Sequence, residues 1–209
     1  ELGTGYQDKV ALRYTAKKGW NTICVPFALT DTDLEAIFGE GYKVYELKGY
    51  TNGELKFNVA DRRYAGYPYI VYSENPVTLD ERGYLLTYVS FSTVKYDSYG
   101  NAKFQGTFEP IPAPGMEGKY GVVPSTGHIK VGGPNATLKG YRAYFELPAG
   151  TEASGISLDF GDGTVITGIE AVELLNGTAD VYDLNGRKMD NSNLQRGVYV
   201  INGKKVVIK

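Results

Sequence analysis

The chain has 209 residues, long enough to bury roughly 70% of the surface its unfolded form exposes and to build a core without staples. Its 22 Lys and Arg face 24 Asp and Glu, a formal net charge of −2 that argues against a nucleic-acid footprint and a basic membrane-surface patch. The longest apolar stretch, Ile23 to Leu29, is interrupted by Pro26 and falls short of the roughly 20 residues that span a bilayer, so no transmembrane segment is expected.

The first residue is Glu1 in a polar stretch, which reads as a processed or excised chain whose export signal has been removed. With 27 Gly, 18 Tyr and 8 Phe, the composition favours turns and half-buried pleated surfaces. Strands are expected at Lys9 to Thr15, Thr22 to Phe27, Tyr42 to Leu47, Glu54 to Asn58 and Tyr69 to Ser73. Further strands are expected at Tyr84 to Val94, Ala102 to Phe108, Tyr141 to Leu147 and Ile156 to Phe160. Short, regularly punctuated runs of this kind predict an all-β fold: an antiparallel β-sandwich followed by a small C-terminal β-hairpin module.

The one clear helix spans Asp31 to Phe38, where Thr30 or Asp31 caps the first amides, Leu34, Ile37 and Phe38 share a face, and Gly39 supplies the stop. Asn-Gly recurs at Asn52-Gly53, Asn176-Gly177, Asn185-Gly186 and Asn202-Gly203, and that pair accepts the positive φ of hairpin turns, so neighbouring strands should be antiparallel. The clearest hairpin joins Val198 to Ile201 with Lys204 to Ile208. Glu109 to Gly115 carries three prolines and cannot pair as a central strand, which makes it a surface connection. The strand-dense pattern pauses at Gly161-Asp162-Gly163-Thr164, placing the division into residues 1–163, a sandwich domain, and 164–209, a small β-module.

Chemistry is sparse along this sequence. Cys24, the sole cysteine, lies in an apolar strand-like run and reads as a buried, inert thiol rather than a nucleophile, with no disulfide and no multi-cysteine zinc site. His128, the sole histidine, stands beside a glycine turn and has no identifiable triad partner. The 24 acids leave glycoside hydrolysis formally open, since it needs two carboxylates across a sugar bond, yet none has a spacing that picks out a pair. Asp159, Asp162 and the Asp97 to Asn101 segment offer hard oxygens but match no calcium loop, and Gly132-Gly133-Pro134 lacks the lysine of a phosphate loop; turn chemistry accounts for all three. No catalytic residue, metal or cofactor is therefore assigned. Aromatic rings are the most suggestive material: Trp20, Tyr64, Tyr67, Tyr69 and Tyr72 are the candidate ligand-binding residues, against the plainer reading of core and cross-strand packing. Asn135-Ala136-Thr137 and Asn176-Gly177-Thr178 fit the N-glycosylation pattern.

At the C-terminus, the run Val181 to Arg187, then Gly197 to Ile201, then Gly203 to Lys209 resembles the tail of many Bacteroidetes secreted proteins. The residues that carry the resemblance are Tyr182, Asp183, Asn185, Gly186, Arg187, Gly197, Tyr199, Gly203, Lys204 and Lys205. The likeness is to the type nine secretion-sorting family, whose C-terminal β-module directs export and surface attachment, and it covers about the last fifth of the chain. Gly19 to Phe27, Ala65 to Ile70 and Phe104 to Phe108 are similar to a β-region that precedes this tail in surface proteins described as adhesins or as proteins of unknown function. The resemblance implies a secreted or cell-surface location, secretion machinery as a partner of the tail, and a glycan or an extracellular protein as ligand. It also makes eukaryotic N-glycosylation unlike this chain's expected setting. The resulting expectation is a non-catalytic region serving adhesion or carbohydrate binding; the alternatives are a cryptic glycoside hydrolase and a structural spacer.

Overall fold

In the computed structural model the described residues are 6–61, 63–79, 83–167, 180–190, 194, 197–201 and 204–208. The first part of the chain forms β1 (Tyr6–Leu12), β2 (Gly19–Ile23), α1 (Asp31–Phe38), β3 (Lys43–Thr51), β4 (Glu54–Val59), β5 (Tyr69–Ser73) and β6 (Tyr84–Ser90). It continues through β7 (Tyr96–Tyr99), β8 (Ala102–Thr107), β9 (Tyr120–Val122), β10 (Ile129–Val131), β11 (Arg142–Glu146), β12 (Ser157–Asp159) and β13 (Val165–Ile166). The C-terminal part holds β14 (Val181–Asp183), β15 (Gly197–Ile201) and β16 (Lys204–Ile208). The fold is all-β and sandwich-like, as the composition and turn pattern predict.

The helix forms where its signals lie. Thr30 is extended at the N-cap, its hydroxyl accepts the Asp33 amide (3.2 Å), and the Asp33 carboxylate accepts the Thr30 amide (2.8 Å), a reciprocal cap. Gly39, at φ 82°, ends it, and Leu34, Ile37 and Phe38 are buried.

A six-stranded sheet in the order β13-β12-β4-β3-β5-β2 lies at the centre of the first unit. Its pairings are antiparallel except for β12 with β4, which is parallel. Asn52 (φ 51°) and Gly53 (φ 82°) make the β3–β4 reversal, both residues left-handed as a type I′ turn requires. One face of this sheet meets a five-stranded sheet in the order β10-β9-β11-β8-β7. Phe57 from the first sheet approaches Phe104 and Phe145 of the second, both at 6.3 Å and nearly perpendicular, and Phe104 stacks on Phe145 at 4.3 Å. These rings are almost wholly inaccessible, and each buried aromatic contributes about 1.5–3 kcal/mol.

The opposite face of the central sheet is buried too. Ile23, Val44, Tyr69 and Val71 pack with Leu34, Ile37 and Phe38 of α1 and with Leu12, Leu86 and Val89 of the separate β1–β6 pair. All five residues of β2 are consequently buried, where a simple two-layer sandwich would wet every second one. Thr22 ties the sheets together: its hydroxyl donates to the Ala143 carbonyl (3.1 Å) and accepts the Ala143 amide (3.0 Å).

Several boundaries move from the sequence reading. The first strand runs Tyr6–Leu12 rather than to Thr15, because Tyr14 is drawn into the core and its hydroxyl donates to the Thr22 carbonyl (2.8 Å). The strand begun at Tyr84 stops at Ser90, after which the Ser92 amide donates to Pro26 instead of to a strand partner. The Asp97 to Asn101 segment is the strand β7 followed by the Gly100-Asn101 reversal into β8. The chain divides into compact units after Ile166, since Val165 and Ile166 pair with β12.

The C-terminal unit is a three-stranded antiparallel sheet, β14-β15-β16, with Ile201 opposite Lys204. Asn202-Gly203 and Asn176-Gly177 lie outside the described residues.

Candidate functional site

The candidate aromatic residues separate because a strand points successive side chains to opposite faces. Along β5, Tyr69 faces the α1 side with Val71, whereas Tyr72 faces the five-stranded sheet with Ile70. Trp20 lies opposite Tyr72 on β2 and shares its face, 5.0 Å away edge-on. It also stacks on Phe160 at 4.4 Å and is only 8% exposed. Trp20 is thus an element of the sandwich core with no ring face open for a ligand, and the half-buried Tyr72 packs against that core.

Tyr64, Tyr67 and Tyr69 converge instead. They line a cleft of about 540 Å³ together with Glu46, Ala65, Ser92, Lys95 and Asp97. The short connection from β4 to β5 carries Tyr64 and Tyr67. Gly66 in it is at φ 84°, and a Cβ there would meet the Thr93 carbonyl at 2.1 Å. Its amide donates to Val25 (2.7 Å), and its carbonyl accepts both Lys95 N–H (2.8 Å) and the Cys24 thiol (3.0 Å). The loop is thereby pinned to the β-framework, which fixes the rings. Tyr64 meets Tyr67 edge-on at 6.2 Å, the Tyr64 amide donates to Tyr69 Oη (2.8 Å), and Lys95 Nζ lies 5.0 Å from the Tyr67 ring centroid. The same three rings close a small apolar crevice of about 10 Å³ over Ile23, Val25 and Leu34, so their inner edges are anchored in the core. Tyr64 remains 54% exposed, whereas Tyr69 is only 5% exposed and serves mainly as the cleft's buried support.

Two carboxyl groups face this cleft. Glu46 is paired with Lys48 at 2.8 Å. The Asp97 carboxylate makes no hydrogen bond or ion pair among the described residues. Burial pushes its carboxyl up to about 6, the Glu46 charge adds to the rise, and Lys48 offsets part of it. The pair was not visible in the sequence, because β3 and β7 are brought together only by the stacking of two sheets.

The remaining chemical candidates lie elsewhere. Cys24 is 1% exposed, and burial pushes its thiol up to about 12, far from the thiolate range of a nucleophile. His128 Nδ1 is buried and has no hydrogen-bond partner among the described residues. Asp162 is a structural anchor: its carboxylate accepts Tyr45 Oη (2.8 Å), Lys43 Nζ (3.1 Å) and the Thr164 amide (3.0 Å). Burial alone would raise the Asp162 carboxyl, but these donors outweigh it and hold it well below the usual range.

Of the tail-like motif, Asp183 organises a tight reversal. Its Oδ1 accepts the Asn185 (2.8 Å) and Arg187 (2.9 Å) amides, its backbone amide donates to the Arg187 carbonyl (2.9 Å), and Gly186 is at φ 78°. Arg187 Nε stands 3.7 Å from the same carboxylate. Tyr182 bridges Lys188, and Tyr199 is buried on β15. Gly197, Lys204 and Lys205 are strand residues, while Gly203 lies outside the described residues.

No family model, curated protein or solved structure matches this chain.

Proposed function

We propose that the chain is a non-catalytic binding region of a secreted or cell-surface bacterial protein, and that it takes a carbohydrate in the tyrosine-walled cleft. The observation behind this reading is the convergence of Tyr64, Tyr67 and Tyr69 with Ser92, Asp97 and Glu46 on one concave surface. A sugar presents an apolar C–H face and a rim of hydroxyls; rings accept the first and carboxylates accept hydrogen bonds from the second. The decisive experiment is a glycan array on the intact chain, repeated with Tyr64→Ala. A loss of about tenfold, equivalent to about 1.4 kcal/mol, supports the assignment. Binding that survives the substitution unchanged, or no binding to any glycan, sinks it.

The C-terminal unit is read as an attachment or sorting module, because the family-like residues concentrate in its Asp183-centred reversal and its strands. Deleting residues 197–209 in the native host, with surface display and folded stability measured separately, tests this. Unchanged display removes the sorting role.

A second reading rests on a different observation. Asp97, its carboxyl raised by burial to about 6, lines the same cleft as Glu46, and a raised carboxyl near a second one is an arrangement in which a glycoside hydrolase places its general acid. Turnover of a polysaccharide that Asp97→Asn and Glu46→Gln each abolish would replace the non-catalytic assignment.

A further inference from the structure

The part of the first unit around Arg142 carries a second concave surface of different chemistry. One cleft of about 290 Å³ is lined by Thr15, Lys17, Lys139 and Arg142, with Trp20 also at its wall. A neighbouring cleft of about 310 Å³ is lined by Arg13, Glu109 and, again, Thr15, Lys139 and Arg142. Thr15, Lys139 and Arg142 line both, so the two clefts adjoin as one grooved surface. Its lining holds four cationic side chains and a single acid, in a chain whose 22 basic residues are outnumbered by 24 acidic ones.

Arg142 is held rigidly without being neutralised. Its Nη1 donates to Tyr14 Oη and to the Thr22 carbonyl (3.3 Å), its Nη2 donates to the Thr15 carbonyl (2.6 Å), and the guanidinium lies 3.9 Å over the Tyr14 ring. Every one of these acceptors is uncharged. Among the described residues, Nε–H and one Nη2–H carry no partner, two donors of the kind that grip the oxygens of a carboxylate, sulfate or phosphate. Arg13, Lys17 and Lys139 are exposed and make no ion pair among the described residues. Elsewhere in the unit, Lys43, Lys48, Lys56 and Lys103 each stand beside a carboxylate, while Lys18, Lys95, Lys119 and Lys130 make no ion pair among the described residues but do not gather around one cleft. An orientated arginine with two open donors, flanked by three unpaired cations, is an arrangement that awaits an external anion.

We infer that this groove binds the anionic groups of an acidic glycan, with Arg142 gripping one carboxylate or sulfate and Arg13, Lys17 and Lys139 meeting its neighbours along the polymer. The choice of a glycan rests on the carbohydrate-binding reading above; the anion chemistry does not. A uniformly dense polyanion such as nucleic acid is disfavoured, since the molecule as a whole is negative and Glu109 borders the groove. Two joined clefts also suit an oligomer better than a lone ion.

The test measures binding of the intact chain at low salt to polygalacturonate, to its fully methyl-esterified form, to heparin and to a single-stranded DNA oligonucleotide. Lys17→Gln/Lys139→Gln removes two groove charges without touching Arg142's structural bonds, and Lys56→Gln/Lys130→Gln removes two charges elsewhere. The inference expects binding to polygalacturonate or heparin, at least tenfold weaker binding to the ester, and a loss of about fivefold or more in the groove variant only. Preference for polygalacturonate identifies carboxylate as the anion, and preference for heparin identifies sulfate. Equal binding of the acid and its ester, equal loss in both double variants, or DNA binding as tight as either glycan overturns it. Tyr64→Ala, measured in parallel, separates the two sites: groove binding that persists in that variant stands even where the tyrosine cleft takes no sugar.

Discussion

Replacing Gly106 by alanine tests how the central sheet meets its neighbours. Gly106 lies buried on β8, its amide donating to the Lys95 carbonyl, and a Cβ built there would stand 2.2 Å from Cys24 Sγ, 2.9 Å from Cys24 Cβ and 3.3 Å from the Lys95 carbonyl oxygen. The first contact is far inside van der Waals range, and Cys24 cannot swing away, being 1% exposed with its thiol donated to Gly66. Overpacking of this kind costs about 1–3 kcal/mol; at about 2–4 °C per kcal/mol for a unit of this size, a value near 2 kcal/mol lowers the melting temperature by about 4–8 °C. Urea denaturation of Gly106→Ala, of Cys24→Ala and Cys24→Gly, and of the two double variants forms a graded cycle. Cys24→Ala removes the 2.2 Å contact but leaves the 2.9 Å one, whereas Cys24→Gly removes both. The coupling energy should therefore grow from the alanine to the glycine cycle and exceed about 1 kcal/mol in the latter. Additivity within about 0.5 kcal/mol in both cycles would refute the reasoning.

Three further outcomes follow from the electrostatics and the cap. Asp97 has its folded carboxyl near 6 against an ordinary 3.8, so the native state binds the extra proton between those values and stability falls as pH rises through that window. Asp97→Asn should flatten this pH dependence in chemical denaturation and stabilise the chain at pH 7.5; an unchanged profile contradicts the assigned environment. Asp162 behaves oppositely: its carboxyl lies below 3.8 in the folded state, so its contribution is present above that pH and is lost as pH falls below it. Asp162→Asn should lower stability at pH 7 and narrow the difference from the parent at pH 2.5, measured by thermal melts. Thr30→Ala removes the hydroxyl that accepts the Asp33 amide and should cost about 1 kcal/mol, whereas a change within error would show that the cap is satisfied by water.

Local signals survived into the structure wherever the chain alone sets the geometry. Thr30, Asp33 and Gly39 bound a helix because caps act within one turn, and Asn52-Gly53 makes its hairpin because positive φ is a property of those residues. The all-β class follows from the same local punctuation. Strands of three or four residues, such as β7, β9 and β10, carry too little periodicity to stand out, since they exist through their partners rather than through their own sequence.

What only the tertiary structure decided was which residues share a surface. Trp20, Tyr64, Tyr67, Tyr69 and Tyr72 look alike as candidates along the chain, yet the pleat of β5 and the burial of the central sheet on both faces bury Trp20 with the half-buried Tyr72 against one face and Tyr69 in the other, and leave Tyr64 and Tyr67 as the more open rings of the cleft that Tyr69 also lines. Glu46 and Asp97 are separated by five intervening decades of sequence and two different sheets, as are Arg13 and Arg142 by most of the first unit. Composition and turn chemistry determine that strands form and where they reverse. Which faces stack, and hence which charges go uncompensated, depends on long-range packing that no local pattern encodes.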